Sequence, residues 1–262
     1  MMRVARVAVA LLLVAGCAAP GALDVPTQTT SAPFASSTLD ISPPVTSPPV
    51  EKEAPASTST LARGETLVLK ATQAVGVYPA PGARHPRLVI PATTILGTPT
   101  VFTVVHGPVK GWARVSLPVR PNGSEGWVEV DSMETHVISG VISIDLTERL
   151  LTYERDDQVV LSTTVAIGTE RNPTPTGTFY VTDSVTLADP NSPWGPHALG
   201  LSARSDTITE YNGGDGIIGI HGTNRPGSIG QAASLGCVRL PNDVISELHQ
   251  MVPLGTPVVI TS

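Results

Sequence analysis

Two stretches decide the reading: His221-Gly222-Thr223-Asn224-Arg225-Pro226-Gly227, and then Ala233-Ser234-Leu235-Gly236-Cys237-Val238-Arg239-Leu240. The short apolar run Ile217-Ile218-Gly219-Ile220 precedes the first and reads as a buried strand that delivers His221 at its end. His221 and Cys237 are far apart in sequence, but a strand–loop–strand path from there can return the chain to the same place. A thiol attacks as its thiolate, so a reactive site must lower its pKa or remove its proton. A histidine within hydrogen-bond reach does both. Gly236 permits a strained turn or a close backbone approach just before Cys237. The N–H groups of Leu235, Gly236 and Cys237 are candidate oxyanion donors. Arg239 lies two residues beyond Cys237 and, in an extended segment, points the same way. A guanidinium there stabilises a thiolate or holds a substrate carboxylate. Singly, each residue has a bland explanation: an inert core thiol, a satisfied structural imidazole, a solvated charge. The combination is what points to chemistry.

Outward from this pair, residues 137–262 read mostly as strand. Val141-Ile142-Ser143-Ile144-Asp145-Leu146 half-alternates, and Leu150–Glu154 and Val159–Ile167 flank Arg155-Asp156-Asp157-Gln158 as a hairpin. Thr178–Thr182 continues the pattern. Val244, Ile245, Leu248, Met251 and Val252 keep a helical period, with Asn242 able to cap it and Pro253 and Gly255 to stop it. Pro257-Val258-Val259-Ile260 reads as a closing strand. Upstream, residues 61–136 hold further short β-like runs: Thr66–Lys70, Thr100–Val105, Trp112–Val115 and Gly126–Val130. The shape Gly-Trp-x-x-Val occurs twice, at Gly111 and at Gly126. This loosely resembles the last strands of small bacterial Src-homology-3-like barrels, whose members bind wall peptides or pack on a catalytic domain. Trp112 and Trp127 are then core residues of a scaffold or part of a binding surface. The expected fold is mainly β: a small N-terminal Src-homology-3-like barrel, then a β-rich catalytic domain with one or two short helices.

The chain has 262 residues, room for one large or two modest domains. A net charge of -6, with only 16 Lys and Arg and no basic stripe, argues against a nucleic-acid partner. Residues 20–60 contain eight prolines and fourteen Ser/Thr with no hydrophobic period, which reads as a disordered linker. Arg3 and Arg6 precede an apolar run, Val7 to Ala15, too short to span a bilayer. Val14-Ala15-Gly16-Cys17 resembles a bacterial lipobox, with Val14 where leucine is common. The expectation is a signal peptide over 1–17, lipidation of Cys17, and a linker over 18–60. The alternative is an ordinary signal cut after Ala19. An acylated Cys17 would anchor the exported protein to the outer face of the cytoplasmic membrane, facing the wall. Cys237 would then be an unpaired thiol in an oxidising compartment, and attack on a carbonyl carbon is the expected reason to keep it.

The segment with these motifs resembles the L,D-transpeptidase catalytic domain family (YkuD-like). Its signature is His-Gly-Thr/Ser, here His221-Gly222-Thr223, and Ser/Thr-x-Gly-Cys-x-Arg/Asn, here Ser234-Leu235-Gly236-Cys237-Val238-Arg239. The stretch Asn172-Pro173-Thr174-Pro175-Thr176-Gly177-Thr178-Phe179 and the run Ala198-Leu199-Gly200-Leu201 agree with it. The resemblance implies that Cys237 attacks the third stem residue of a peptidoglycan tetrapeptide, D-alanine leaves, and a second stem's amine resolves the thioester as a 3→3 cross-link. It implies His221 as base and the Gly222 carbonyl as its orienter. It also implies substrate contacts at Arg239, Ser234, Thr223, Leu235 and Gly236, a lid over 183–197 with Trp194, and Cys237 as a target of carbapenem-type β-lactams. Leu235 departs from the histidine many relatives carry and removes a side-chain donor. His85, His106, His136, His197 and His249 show no paired arrangement, and neither metal-ligand spacing nor a cofactor motif is visible. The competing readings are an L,D-carboxypeptidase, with water as acceptor, and a non-enzymatic wall-binding lipoprotein. Sortases separate their histidine, cysteine and arginine more widely, and wall-lytic cysteine hydrolases place the cysteine first.

Overall fold

The computed structural model describes residues 61, 64–211 and 214–262. The expected signal peptide, Cys17 and the linker to residue 60 lie outside the described residues. The first strands are β1 (Glu65–Ala71), β2 (Val75–Val77), β3 (Leu88–Ile90), β4 (Val101–Val109), β5 (Trp112–Ser116), β6 (Glu125–Glu129) and β7 (Met133–Ser139). Five of them form an antiparallel sheet in the order β6-β5-β4-β1-β7, and β2 pairs with β3. Period-2 alternation decides which side chains face inward. In β5, Ala113 and Val115 are buried and join Leu69, Val77, Phe102 and Val128 in the core, while Trp112 points to the other face. Trp112 and Trp127 are therefore not core residues of this sheet. Each is part-buried on the outer side, and the Tyr78 ring meets Trp112 edge-on at 5.1 Å between centroids. β7 runs along the whole of β1, from Glu65 opposite Ser139 to Ala71 opposite Met133. It thus continues past residue 136.

The remaining elements are β8 (Val141–Asp145), β9 (Leu150–Arg155), β10 (Gln158–Thr164), β11 (Ile167–Gly168), β12 (Gly177–Thr186), β13 (His197–Arg204), β14 (Ile217–His221), β15 (Ala232–Ser234), β16 (Val238–Arg239), α1 (Asn242–Met251) and β17 (Pro257–Thr261). Eight strands form one sheet in the order β10-β9-β8-β17-β12-β13-β14-β16. The β9–β10 hairpin turns on Asp156 and Asp157, both with positive φ, 54° and 59°. That geometry matches the right-handed twist of the flanking strands. The run expected to extend from Val159 to Ile167 breaks after Thr164, because Ala166 exchanges two backbone hydrogen bonds with Arg239. Among the described residues α1 is the one α-helix. It buries Ile245 and Leu248 and packs across β13 and β14. Asn242 does not cap it: Asn242 is its first residue, Pro241 precedes it without a side-chain cap, and the Asn242 amide faces the other way.

Side chains at several places join the two sheets. Val68, Val101 and Tyr180 are buried together, with Ile138 and Leu254 against them. Gly255 has φ +87°, and a Cβ there would lie 2.6 Å from Val68 Cγ2, so glycine permits the approach. Asn122 exchanges two 2.8 Å hydrogen bonds with the Arg204 backbone, much as a strand partner would. The buried Arg204 guanidinium donates to the carbonyls of Pro118, Leu201 and Ala203 and to the Asp215 carboxylate. Replacing Arg204 with Met keeps its apolar stem and removes every donor, leaving buried carbonyls without partners. Urea denaturation of R204M is expected to give a stability about 2 kcal/mol lower at an unchanged m-value. A loss under about 0.5 kcal/mol would show that water replaces the guanidinium freely.

Candidate active site

Parallel pairing of β14 with β16 sets Ile220 opposite Val238 and His221 opposite Arg239. Residues directly opposite share a face, and i, i+2 residues of a strand share a face. His221, Arg239 and Cys237 therefore project to one side, with Cys237 alongside Gly219. A Cβ at Gly219 would lie 3.2 Å from the Leu199 carbonyl oxygen and 4.0 Å from Trp194 Cζ3, and the Gly219 backbone hydrogen-bonds with the sulfur. Gly236 has φ +116°, and a Cβ there would lie 3.0 Å from Ile218 Cδ1 and 3.3 Å from the Pro173 carbonyl oxygen. The turn that presents Cys237 accordingly requires glycine.

His221 is 4% exposed, and its Nδ1–H donates to the Gly222 carbonyl at 2.6 Å. That bond assigns the proton to Nδ1 and leaves Nε2 as acceptor. Burial, aided by the Arg239 charge and opposed by the Gly222 carbonyl, lowers the His221 pKa to about 4. Cys237 is part-exposed, yet desolvation dominates and pushes its thiol up, against the pull of the Gly219 backbone and Arg239. The resting pair is a neutral thiol and a neutral imidazole, not a preformed ion pair. The chemistry it supports is general-base removal of the thiol proton as the sulfur attacks.

The surroundings hold the imidazole in place. Trp194 packs on His221 at 4.4 Å between ring centroids. The Asn242 side-chain oxygen accepts the Thr223 N–H at 2.7 Å and so ties the His-Gly-Thr turn to the start of α1. A Cβ on Gly222 would meet that same oxygen at 2.4 Å, and one on Gly195 would meet Gly222 Cα at 2.6 Å. The loop carrying Trp194 thus lies on Gly222 backbone to backbone. Ser234 Oγ donates to the Cys237 carbonyl at 2.5 Å and accepts the Gly236 N–H at 3.1 Å. The Ser234 hydroxyl is therefore engaged in the turn. So is the Gly236 N–H, which is one of the three expected oxyanion donors.

A cavity of about 540 Å³ opens over the pair, lined by Cys237, His221, Arg239, Ser234 and Leu235, with Trp194 and Tyr211. Arg239 Nε is buried and without a hydrogen-bond partner, a donor left for a bound acceptor. Leu235 is 49% exposed at the rim. Gly222, Gly236 and Thr223 are not among the residues that line the cavity. Thr223 is buried, and its hydroxyl accepts the Arg225 N–H. Cys17 lies outside the described residues. His197 stacks with His249 at 4.2 Å, and this pairing was not legible in the spacing. Of the stretch 183–197, residues up to Thr186 belong to β12, and the loop proper begins at Leu187. Sequence reasoning missed Asn242, Tyr211 and Gly195 as parts of the site, since none has a short-range signal.

Residues 139–260 match the model of the YkuD family, the L,D-transpeptidase catalytic domain. YkuD of Bacillus subtilis (strain 168), named as an L,D-transpeptidase, is 35% identical over 119 residues, covering 45% of this chain and 64% of that protein. YqjB of the same organism, likewise named, is 37% identical over 117 residues, covering 40% and 62%. The chain thus spans less than two thirds of either relative. Among solved structures, the catalytic domain of an E. faecium L,D-transpeptidase is 28% identical, covers 47% of this chain and 97% of its own, and superposes at a TM-score of 0.37.

The neutral pair has a pH signature. The folded pKa of His221, about 4, lies below the ordinary value near 6.5, so the fold favours neutral imidazole. That stabilisation is complete above about pH 6.5 and is lost as pH falls towards 4. Imidazole NMR is expected to show His221 as the Nδ1–H tautomer down to about pH 5. Alkylation of Cys237 by iodoacetamide should rise only at alkaline pH. A reactive plateau between about pH 5 and 7 would instead reveal a thiolate–imidazolium pair.

Proposed function

We propose that this protein is a cell-wall acyltransferase, a peptidoglycan L,D-transpeptidase. The observation that carries the reading is the placement of a part-exposed thiol, a neutral imidazole with its acceptor nitrogen free, and an unpartnered guanidinium nitrogen on one face of a cavity. The match of residues 139–260 supports the substrate class. In this reading Cys237 Sγ attacks the carbonyl of the third residue of a stem tetrapeptide while His221 Nε2 takes the thiol proton. The carbon–nitrogen bond to the terminal D-alanine breaks, and the imidazolium returns its proton to the departing amine. The Leu235 and Cys237 N–H groups face the developing oxyanion. The side-chain amine of a second stem then attacks the thioester, His221 removes its proton, and the thiol is regenerated with a 3→3 cross-link formed. Arg239 holds a substrate carboxylate. No cofactor or metal enters these steps.

The N-terminal Src-homology-3-like barrel, residues 61–136, and the catalytic domain, residues 137–262, would stand on the linker 18–60 behind a lipidated Cys17. This arrangement would tether the enzyme to the outer face of the cytoplasmic membrane, within reach of the wall. The sequence pattern Val14-Ala15-Gly16-Cys17 supports it. Metabolic labelling with an alkyne palmitate should mark the wild type and leave C17A unlabelled. Equal labelling of both would overturn the anchor.

Intact-mass spectrometry tests the chemistry. Residues 61–262 incubated with a carbapenem or a stem tetrapeptide should gain a covalent acyl adduct that C237A lacks. Product analysis with an added acceptor stem then separates cross-linking from hydrolysis to a tripeptide, the carboxypeptidase outcome. A folded, reduced wild type that gains no adduct would sink the enzyme reading in favour of a wall-binding protein.

A further inference from the structure

The loop between β3 and β4 leads into the five-stranded N-terminal sheet at β4, yet its tip borders the thiol cavity. Thr93 bridges Pro99, and the Thr94 N–H donates to the Thr98 carbonyl at 2.8 Å, closing a tight turn. Thr94 Oγ1 is the pin. It accepts the N–H groups of Leu96 and Thr98 and donates to Asp183 Oδ1 at 2.5 Å. Asp183 is buried, and its other oxygen accepts the Thr182 hydroxyl at 2.7 Å. A buried carboxylate at β12 therefore holds a turn from the other sheet in one place, and a charge-assisted bond of this kind is strong and directional.

That turn displays Ile95 and Leu96, which are 74% and 50% exposed. Both line the cavity that contains Cys237. Ile95 Cδ1 lies 3.5 Å from where a Cβ on Gly214 would stand, so it reaches the loop that carries Tyr211. Tyr211 is 44% exposed, on the same cavity as Leu235. Large apolar side chains scattered singly over a surface need no explanation. Four of them around one opening form a patch that a ligand's apolar part would cover. Two of the four come from outside residues 139–260.

We propose that Ile95 and Leu96 are specificity-determining residues of the substrate cleft, contacting an aliphatic portion of the bound stem peptide. The N-terminal sheet then completes the site, and Thr94 is the positioning residue that sets this wall through Asp183. The inference rests on the acyl-transfer reading above. Ile95 and Leu96 offer the thiol no acid, base or hydrogen-bonding group, so they act on peptide binding and not on the reactivity of Cys237.

The test uses the full chain and two substrates. With a stem tetrapeptide, I95S/L96S is expected to lower kcat/KM about tenfold, mostly through KM. Iodoacetamide, too small to reach the wall, should alkylate Cys237 in this variant at the wild-type rate. I95V/L96M, which keeps apolar bulk, should recover peptide turnover. T94V should reproduce the KM effect in weaker form. Unchanged kcat/KM in I95S/L96S would overturn the inference while leaving acyl transfer intact, as would equal losses in I95S/L96S and I95V/L96M. A wild type that alkylates but never accepts an acyl group from the stem would overturn the acyl-transfer reading, and the inference with it.

Discussion

The short ladder between β14 and β16, with Ile220 opposite Val238 and His221 opposite Arg239, is the constraint on which the rest of the site depends. Two residues are too few to hold a strand by themselves. β16 is held because Arg239 also exchanges two backbone hydrogen bonds with Ala166 on its other side, and the Leu240 N–H donates to the His221 carbonyl. Parallel register then does what a sequence motif cannot. It places thiol, imidazole and guanidinium on one face, with Gly219 beneath the sulfur. A slip of one residue would turn Cys237 into the core and bring Val238 to the cavity.

Around this ladder, polar groups are used to hold backbone in place more than to meet a ligand. Ser234, Thr223 and Asn242 each engage turn amides, and the Gly222 carbonyl fixes the imidazole tautomer. What remains for chemistry is small: one acceptor nitrogen, one sulfur and one guanidinium edge. Desolvation keeps the first two neutral. In the proposed reaction the charge forms only as the sulfur attacks, where preorganised donors have most effect. The same low-polarity surroundings suit an apolar rim, and both sheets contribute to that rim.

The association of the two sheets is correspondingly specific. Arg204, Asn122 and Arg120 make several hydrogen bonds to the opposing backbone, and Thr94 donates to the buried Asp183. Arg120 and Arg204 both reach Asp215, at the end of the loop that carries Tyr211. The N-terminal sheet thus orders one wall of the cavity and supplies part of another.

What the sequence by itself determined is local. The spacing of His221, Gly236, Cys237 and Arg239 pointed to a thiol–imidazole site, because a nucleophile, its base and a required glycine leave a residue-type signature. Short β-like runs located β1, β4, β5, β6, β8 and β9, and Arg155-Asp156-Asp157-Gln158 marked a hairpin. Tertiary structure alone decided the rest. β13 was legible only as a family run and not as a strand, since six consecutive residues are buried and a strand covered on both faces has no alternation. Asn242 looked like a helix cap until the fold brought the Thr223 amide to its side chain. Trp112 stood open between core and binding surface until pairing sent Ala113 and Val115 inward. Ile95 and Leu96, far from Cys237 in sequence, reach its cavity only because a carboxylate on another strand pins their turn. Contacts between distant segments depend on register and packing, and no residue records those in its immediate neighbours.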